Sequence, residues 1–544
     1  VTPSLVLMLH AHLPFIRHPE HEIFYEEQWF FEAITETYAP LLWALQDSLA
    51  AGYKPRLTMS LTPPLLSMLN DELLISRYRR HLENLLQLVE KELERTKQES
   101  VEEQQLAHFY AERLSRIHRT VFAENDGFIT RAFVALQEAG VLEIITCGAT
   151  HGFLPLMRGR PGAIHAQVEQ GARTHERFIG RRPRGIWLPE CAFFPGVDKV
   201  LADAGIEFFF LDSHGLVNGD PYPLYDVYAP VVTPNGVAAF ARDPLSSSLV
   251  WSSESGYPGD AYYREFYRDL GWDREFEYIK DHVLPDGNRV NTGLKYRRIT
   301  GRTDRKEYYD PYLAGLRAKS HAEHFVASRL EHAQRLAARF GDRSPVITAP
   351  FDAELFGHWW FEGPIFLAEV FANLARIDHQ LTARTAAEVI DSGVALQEVM
   401  PSASSWGAGG YNRVWLNPKN QKLQRHYEII HERMDRLAQD YEGASEDSRR
   451  ATRQAAREAL LAVASDWAFL ITKDTAGAFS ARQAATHIRD FLKVEAMARS
   501  GQIDEVALAE IENRDNIFPA IDPRLWLGKA EALATQSIAR AEED

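Results

Sequence analysis

Two carboxylates, Glu190 and Asp352, have settings that suit paired acid and nucleophile chemistry. Each directly follows a short apolar run and lies among rings: Trp187 and Phe193 near the first, Phe351, Phe356, Trp359 and Trp360 near the second. Aromatic surroundings push one carboxyl's pKa up while the other stays ionised, which is what a general acid and a nucleophile require of each other. Glu354, two residues past Asp352, competes for the second role or else orients His358. His10 and His12 are two apart on an extended segment, so their side chains share a face. With His151 they suit metal ligation, or hydrogen bonding to a sugar or a carboxylate. Against a metal, no histidine pair has helical ligand spacing, and neither Cys147 nor Cys191 is placed as a partner. Flat rings on mobile backbone complete the inventory. The run Ser404-Ser405-Trp406-Gly407-Ala408-Gly409-Gly410-Tyr411, with Trp415 soon after, offers faces on which sugars stack, and Trp29 and Trp272 are similar candidates. The glycines follow no strand and precede no Lys-Ser/Thr pair, so a phosphate cradle is the weaker reading.

The elements that must position these groups are short β-rich runs bounded by turns, at residues 5–9, 56–61, 142–147, 185–188, 206–211, 236–241 and 345–348. Most are separated by helical segments, among them 29–51, 163–180 and 197–204. Strand, helix, strand repeated in this way predicts a parallel sheet or barrel. Nearly every run ends in polar groups: His10 and His12, His151, Glu190, Asp212 and His214, Arg242 and Asp243, Asp352 and Glu354. In a parallel barrel all these ends converge on one mouth, and the active site is expected there. Two stretches break the repeat. Residues 71–140 read as an inserted helical subdomain, and residues 405–544 as an all-helical C-terminal domain, leaving 1–70 and 141–404 for the barrel. About 100 residues separate the last two runs, a length that usually marks a functional loop.

Composition excludes several classes of function. The chain has 544 residues, with 60 basic against 76 acidic side chains and a formal charge of −16. That balance gives no general attraction to phosphate backbones or anionic lipid, so neither nucleic acid nor a membrane is an expected partner. No stretch approaches the ~18 consecutive apolar residues of a membrane helix, and residues 1–14 lack a basic leader region. Two cysteines without a framework fit a reducing compartment, and a cytoplasmic location is expected.

Five segments in order carry a family resemblance. His10-Ala11-His12-Leu13-Pro14, Gly148-Ala149-Thr150-His151-Gly152, Trp187-Leu188-Pro189-Glu190-Cys191-Ala192-Phe193, residues 349–359 around Asp352, and Ser405-Trp406-Gly407 resemble the signature segments of glycoside hydrolase family 57. Within it the chain is most similar to the 1,4-alpha-glucan branching enzymes, through Gly256-Tyr257-Pro258-Gly259-Asp260, residues 263–269 and Ser465-Asp466-Trp467. The resemblance implies an incomplete (β/α)7 barrel and a retaining double displacement on α-glucan with neither metal nor cofactor. It makes Glu190 the nucleophile and Asp352 the general acid/base. His10, His12 and His151 then line a glucose subsite, with Trp29, Arg264, Trp272, Trp406, Trp415 and Asp466 along the groove. Residues 221–234, with Tyr225 and Tyr228, resemble a loop that covers that groove. An α-amylase or a 4-alpha-glucanotransferase would use the same carboxylates, whereas a metal-dependent deacetylase on a similar barrel would use His10 and His12 as ligands.

Overall fold

The computed structural model describes residues 2–251, 256–284, 286–341 and 343–528. Ten strands form one curled sheet: β1 (Ser4–Ala11), β2 (Leu57–Leu61), β3 (Leu142–Cys147), β4 (Gly185–Trp187), β5 (Phe208–Leu211), β6 (Val231–Val232), β7 (Ala238–Ala241), β8 (Val346–Asp352), β9 (Thr382–Ala383) and β10 (Gln397–Glu398). The parallel set runs β8-β1-β2-β3-β4-β5-β7, which is the seven-strand pattern legible in the sequence. β6 pairs antiparallel with β7 and carries β10 on its far side.

The barrel is incomplete because no ladder joins β7 to β8 among the described residues. The backbone bond from Asp243 N–H to the Thr348 carbonyl, at 2.8 Å, crosses the seam. β8 therefore behaves as an edge strand, where Pro350, with no N–H to give, is tolerated. Alternation sorts the side chains. Val6, Met8, Ile145, Cys147, Trp187, Phe208, Phe210 and Phe240 fill the barrel interior, while Leu5, Leu7 and Leu9 face the surrounding helices. His10 continues the inward row of Val6 and Met8, and register places it level with Ser60 on one side and Asp352 on the other.

Helix Pro161–Ile179 docks so closely on β3 that a Cβ at Gly171 would sit 2.2 Å from the Cys147 carbonyl oxygen. Gly171→Ala is therefore expected to lower stability by about 2–3 kcal/mol, because neither helix nor strand backbone can give way. A drop in denaturation midpoint at constant m-value checks it.

Two long helices, Glu72–Thr96 and Val101–His118, follow β2, each opened by a side-chain cap from Asp71 or Ser100. The stretch between β7 and β8 departs from the expected long loop, since its second half is the thirty-residue helix Pro311–Phe340, capped by Asp310. Its buried face is built on Ala314, Ala318 and Ala322, small residues four apart that carry little hydropathy but pack closely on helix Gly363–Arg376. Five further helices between Gln421 and Arg514 form the C-terminal layer, with Glu446–Ala462 lying along Gly477–Ser500.

Candidate active site

At the C-terminal ends of the strands lies an open cavity of about 490 Å3, lined by His10, His12, His151, Glu190, Asp352, Glu354, Trp359, Trp406, Trp415 and Asp466, among others. A depression of about 570 Å3 at the opposite end, beside Lys54, Arg56 and Asp378, gathers no comparable set of rings, imidazoles and carboxylates. Chemistry, not volume, marks the first as the site.

Glu190 sits on the tight turn Pro189–Cys191 that ends β4, in a left-handed conformation at φ 61°, and Cys191 follows at φ 52°. His151, on the loop after β3, is also left-handed at φ 59°. Such positions cost roughly 1–3 kcal/mol apiece for residues with a Cβ, and they persist where surrounding bonds over-determine them. Here the Trp406 backbone N–H donates to the Glu190 carbonyl at 3.1 Å. The carboxylate takes one donor on each oxygen: Ser465 Oγ gives to Oε1 at 2.7 Å and Trp406 Nε1 to Oε2 at 3.0 Å. Burial pushes the Glu190 pKa up, and these two donors oppose the rise.

Asp352 ends β8, and its side chain makes no hydrogen bond among the described residues. Burial, with the negative charges of Glu354 and Glu190, holds its pKa well above the ordinary aspartate range, and Arg242 offsets this only partly. Of the two carboxyls, Asp352 is thus the one whose surroundings favour the protonated form, and Glu190 the one given donors that favour the ionised form. Glu354 is occupied otherwise. It accepts from the Tyr38 hydroxyl at 2.6 Å and from the His12 backbone N–H at 3.1 Å. His358 is oriented by Glu36 at 2.7 Å rather than by Glu354.

The three histidines stack into one block, His12 on His151 with centroids 3.8 Å apart and His10 on His151 at 5.1 Å. Burial, reinforced by His12, pushes the pKa of His10 well down, and burial with both neighbouring rings does the same to His151, so both are neutral. Burial also opposes charge on His12, but Asp466, Glu354 and Glu190 outweigh it and its pKa is raised. His12 bonds Thr62 through Nδ1 at 3.0 Å and Asp466 through Nε2 at 3.0 Å. His12, His151 and Asp466 bring ligand atoms within 4.8 Å of one another, the spacing a metal would need. Both nitrogens of both rings are already bonded to protein groups, however, so this donor set fits hydrogen bonding better than ligation.

Trp406 packs against Trp187, centroids 4.8 Å apart, and Trp415 stacks on Phe153 at 4.3 Å, leaving both indoles on the cavity wall. Three of the expected groove residues lie elsewhere. Arg264 is buried, donating to Glu36 at 2.7 Å with its guanidinium 3.8 Å over the Phe361 ring. Trp272 is half exposed and bonds Asn291 at 2.9 Å, and Trp29 packs edge-on to Phe479. None of the three lines the cavity. Residues 221–234 do not cover it either. The Tyr228 carbonyl accepts from Val346 at the start of β8, and Tyr225 packs on Phe340, so the segment fills the barrel seam.

Sequence reasoning missed Ser60, Thr62, Tyr38 and Ser465 as members of the site. A lone serine inside the apolar run of β2, and the serine beside Asp466, were the available signals.

The family model "Glycosyl hydrolase family 57" matches residues 6–338, and a model for "1,4-alpha-glucan branching enzyme, C-terminal" matches residues 426–526. The chain is 33% identical to a 1,4-alpha-glucan branching enzyme of Thermococcus kodakarensis, over 94% of this chain and 77% of that protein. Among solved structures, AmyC of Thermotoga maritima, described as a novel alpha-amylase, superposes with a TM-score of 0.91 at 45% identity, covering 97% of this chain and 99% of that one. A family 57 branching enzyme of Pyrococcus horikoshii superposes with a TM-score of 0.86 at 33% identity, covering 97% of each.

Proposed function

This chain belongs to glycosyl hydrolase family 57, and on that premise we propose that it is a 1,4-alpha-glucan branching enzyme acting by a retaining double displacement. The observation that carries the reading is the unequal pair of carboxyls in one aromatic cavity, Asp352 without donors and Glu190 with two. Asp352, protonated, gives its proton to the α-1,4 glycosidic oxygen while Glu190 attacks the anomeric carbon, so that a covalent glucosyl ester forms through an oxocarbenium-like transition state. Asp352, now ionised, takes the proton from the 6-hydroxyl of an acceptor glucan. Attack from the original face then releases Glu190 and leaves an α-1,6 bond. Asp466 and the block of His10, His12 and His151, held by its own hydrogen bonds, wall the sugar subsite, and the Trp406 ring offers it an aromatic surface.

Transfer to a glucan rather than to water requires a cavity that holds a second chain and limits solvent. Helix Ser465–Lys473 of the C-terminal layer forms part of that wall through Asp466, Phe469 and Lys473. It lies inside the region similar to branching enzymes. A second reading, α-amylase with water as acceptor, is favoured by the likeness to the Thermotoga protein. Treatment of amylose separates them. Branching is expected to create α-1,6 anomeric protons in the NMR spectrum with little gain in reducing ends, whereas reducing ends without α-1,6 signals would establish hydrolysis. Branch formation of this kind belongs to storage-glucan synthesis. No helix among the described residues is long and apolar enough to cross a membrane. The acidic, cysteine-poor composition favours action on α-glucan in the cytoplasm.

A further inference from the structure

Behind Glu190 the side chains form a hydrogen-bonded chain that has one consistent direction. The carboxylate oxygen Oε1 accepts, so Ser465 Oγ must donate to it, at 2.7 Å. With that proton committed, Ser465 Oγ is the acceptor for His151 Nδ1 at 2.8 Å, and His151 carries its hydrogen on Nδ1. His151 Nε2 is then bare and accepts from His10 Nε2–H at 3.0 Å. His10 Nδ1 in turn accepts from Ser60 Oγ at 2.6 Å. Ser60 is wholly buried and Ser465, His10 and His151 nearly so, and each of these polar atoms finds its partner within the chain. The chain runs from β2 across the barrel mouth to the C-terminal layer.

We propose that Ser465 and Ser60 are positioning residues of the reaction: the chain Ser60, His10, His151, Ser465 fixes both imidazole tautomers so that a donor always faces one oxygen of Glu190, while Trp406 holds the other. The proposal rests on the reading of Glu190 as nucleophile. No proton travels along the chain. In the second half-reaction the bond between the anomeric carbon and Glu190 breaks, its electron pair returns to the carboxylate, and the acceptor's proton goes to Asp352. The donor from Ser465 stabilises the departing carboxylate at that moment and keeps it ionised for the next attack. Around Glu190 stand His12, His151, Asp466 and Asp352, with the thiols of Cys147 and Cys191, and His10, Arg242, Glu354 and Lys473 line the same cavity.

The test is the pH profile of kcat/KM for the full chain on amylose. Ser465→Ala deletes the donor with minimal change of shape. The acid limb, set by ionisation of Glu190, is expected to move up by about one pH unit, with kcat down roughly tenfold. Ser465→Thr restores a hydroxyl and should return the limb, and Ser60→Ala should shift it in the same direction by less. Independently, 15N spectra of histidine-labelled wild-type protein, assigned by single-histidine replacement, should show neutral His10 protonated at Nε2 and neutral His151 at Nδ1. An unmoved acid limb in Ser465→Ala, or the opposite tautomer at His151, overturns the proposal. The spectra decide it even if Ser465→Ala fails to fold. Retained turnover in Glu190→Gln would instead bring down the underlying reading, whereas an inactive Glu190→Gln beside an unmoved Ser465→Ala limb defeats the chain alone.

Discussion

Glu190→Gln is expected to cut turnover of α-1,4-glucan on the order of ten-thousand-fold or more while leaving the melting temperature near that of the parent. The amide keeps the shape and a partner for the Trp406 indole but cannot form the glucosyl ester. No neighbouring carboxylate is free to replace it. Asp466 is bound to His12, Glu354 is held by Tyr38 and the His12 backbone, and Asp352 is needed as the proton donor. Initial rates on amylose give the loss. Labelling by a slow fluorinated glucosyl donor gives the mechanism, since the parent should be modified stoichiometrically on the peptide that contains Glu190 and the variant should not. Substantial branching by Glu190→Gln, or a label on another side chain, would refute the assignment.

Asp352→Asn should be nearly as damaging on glucan, by roughly a thousandfold, but selectively so. With an activated donor such as α-maltosyl fluoride, whose leaving group needs no proton, the first half-reaction should survive. Equal losses on both substrates would argue for a structural role instead. The pH dependence follows from the same side chain. Asp352 works protonated, so activity is present below its pKa and disappears as pH rises through it. Burial and the charges of Glu354 and Glu190 hold that pKa well up, which extends the alkaline limb. Removing one of those charges in Glu354→Gln lowers it, and the alkaline limb of kcat/KM should move to lower pH.

The parallel strands were legible because each is a short apolar run closed by a polar residue, and their convergence followed from barrel geometry alone. Helix Pro311–Phe340 was hidden by its own economy: a seam of alanines gives little hydropathic contrast against many arginines and histidines. Glu190, Asp352 and the histidines were readable because strand ends announce them. Arg264 shows the opposite case. Its charge is answered by Glu36, 228 positions earlier on the π-helical turn Ala33–Tyr38, and spacing along a chain says nothing about such a pairing. The roles of Ser60 and Ser465 were invisible for the same reason, since a hydroxyl gains meaning only from what it faces. Spacing alone left Asp352 and Glu354 inseparable; the resemblance chose Asp352, and the bonds that Tyr38 and His12 make to Glu354 leave Asp352 as the carboxyl without a donor among the described residues.

The bond from Ser465 to Glu190 joins positions 275 residues apart. A ribosome that has delivered the whole barrel has therefore not yet delivered a working pocket, because the helix that steadies the nucleophile emerges only afterwards. Full activity should therefore arrive late during synthesis, when the last layer supplies the Ser465 donor together with the cavity wall of Asp466, Phe469 and Lys473.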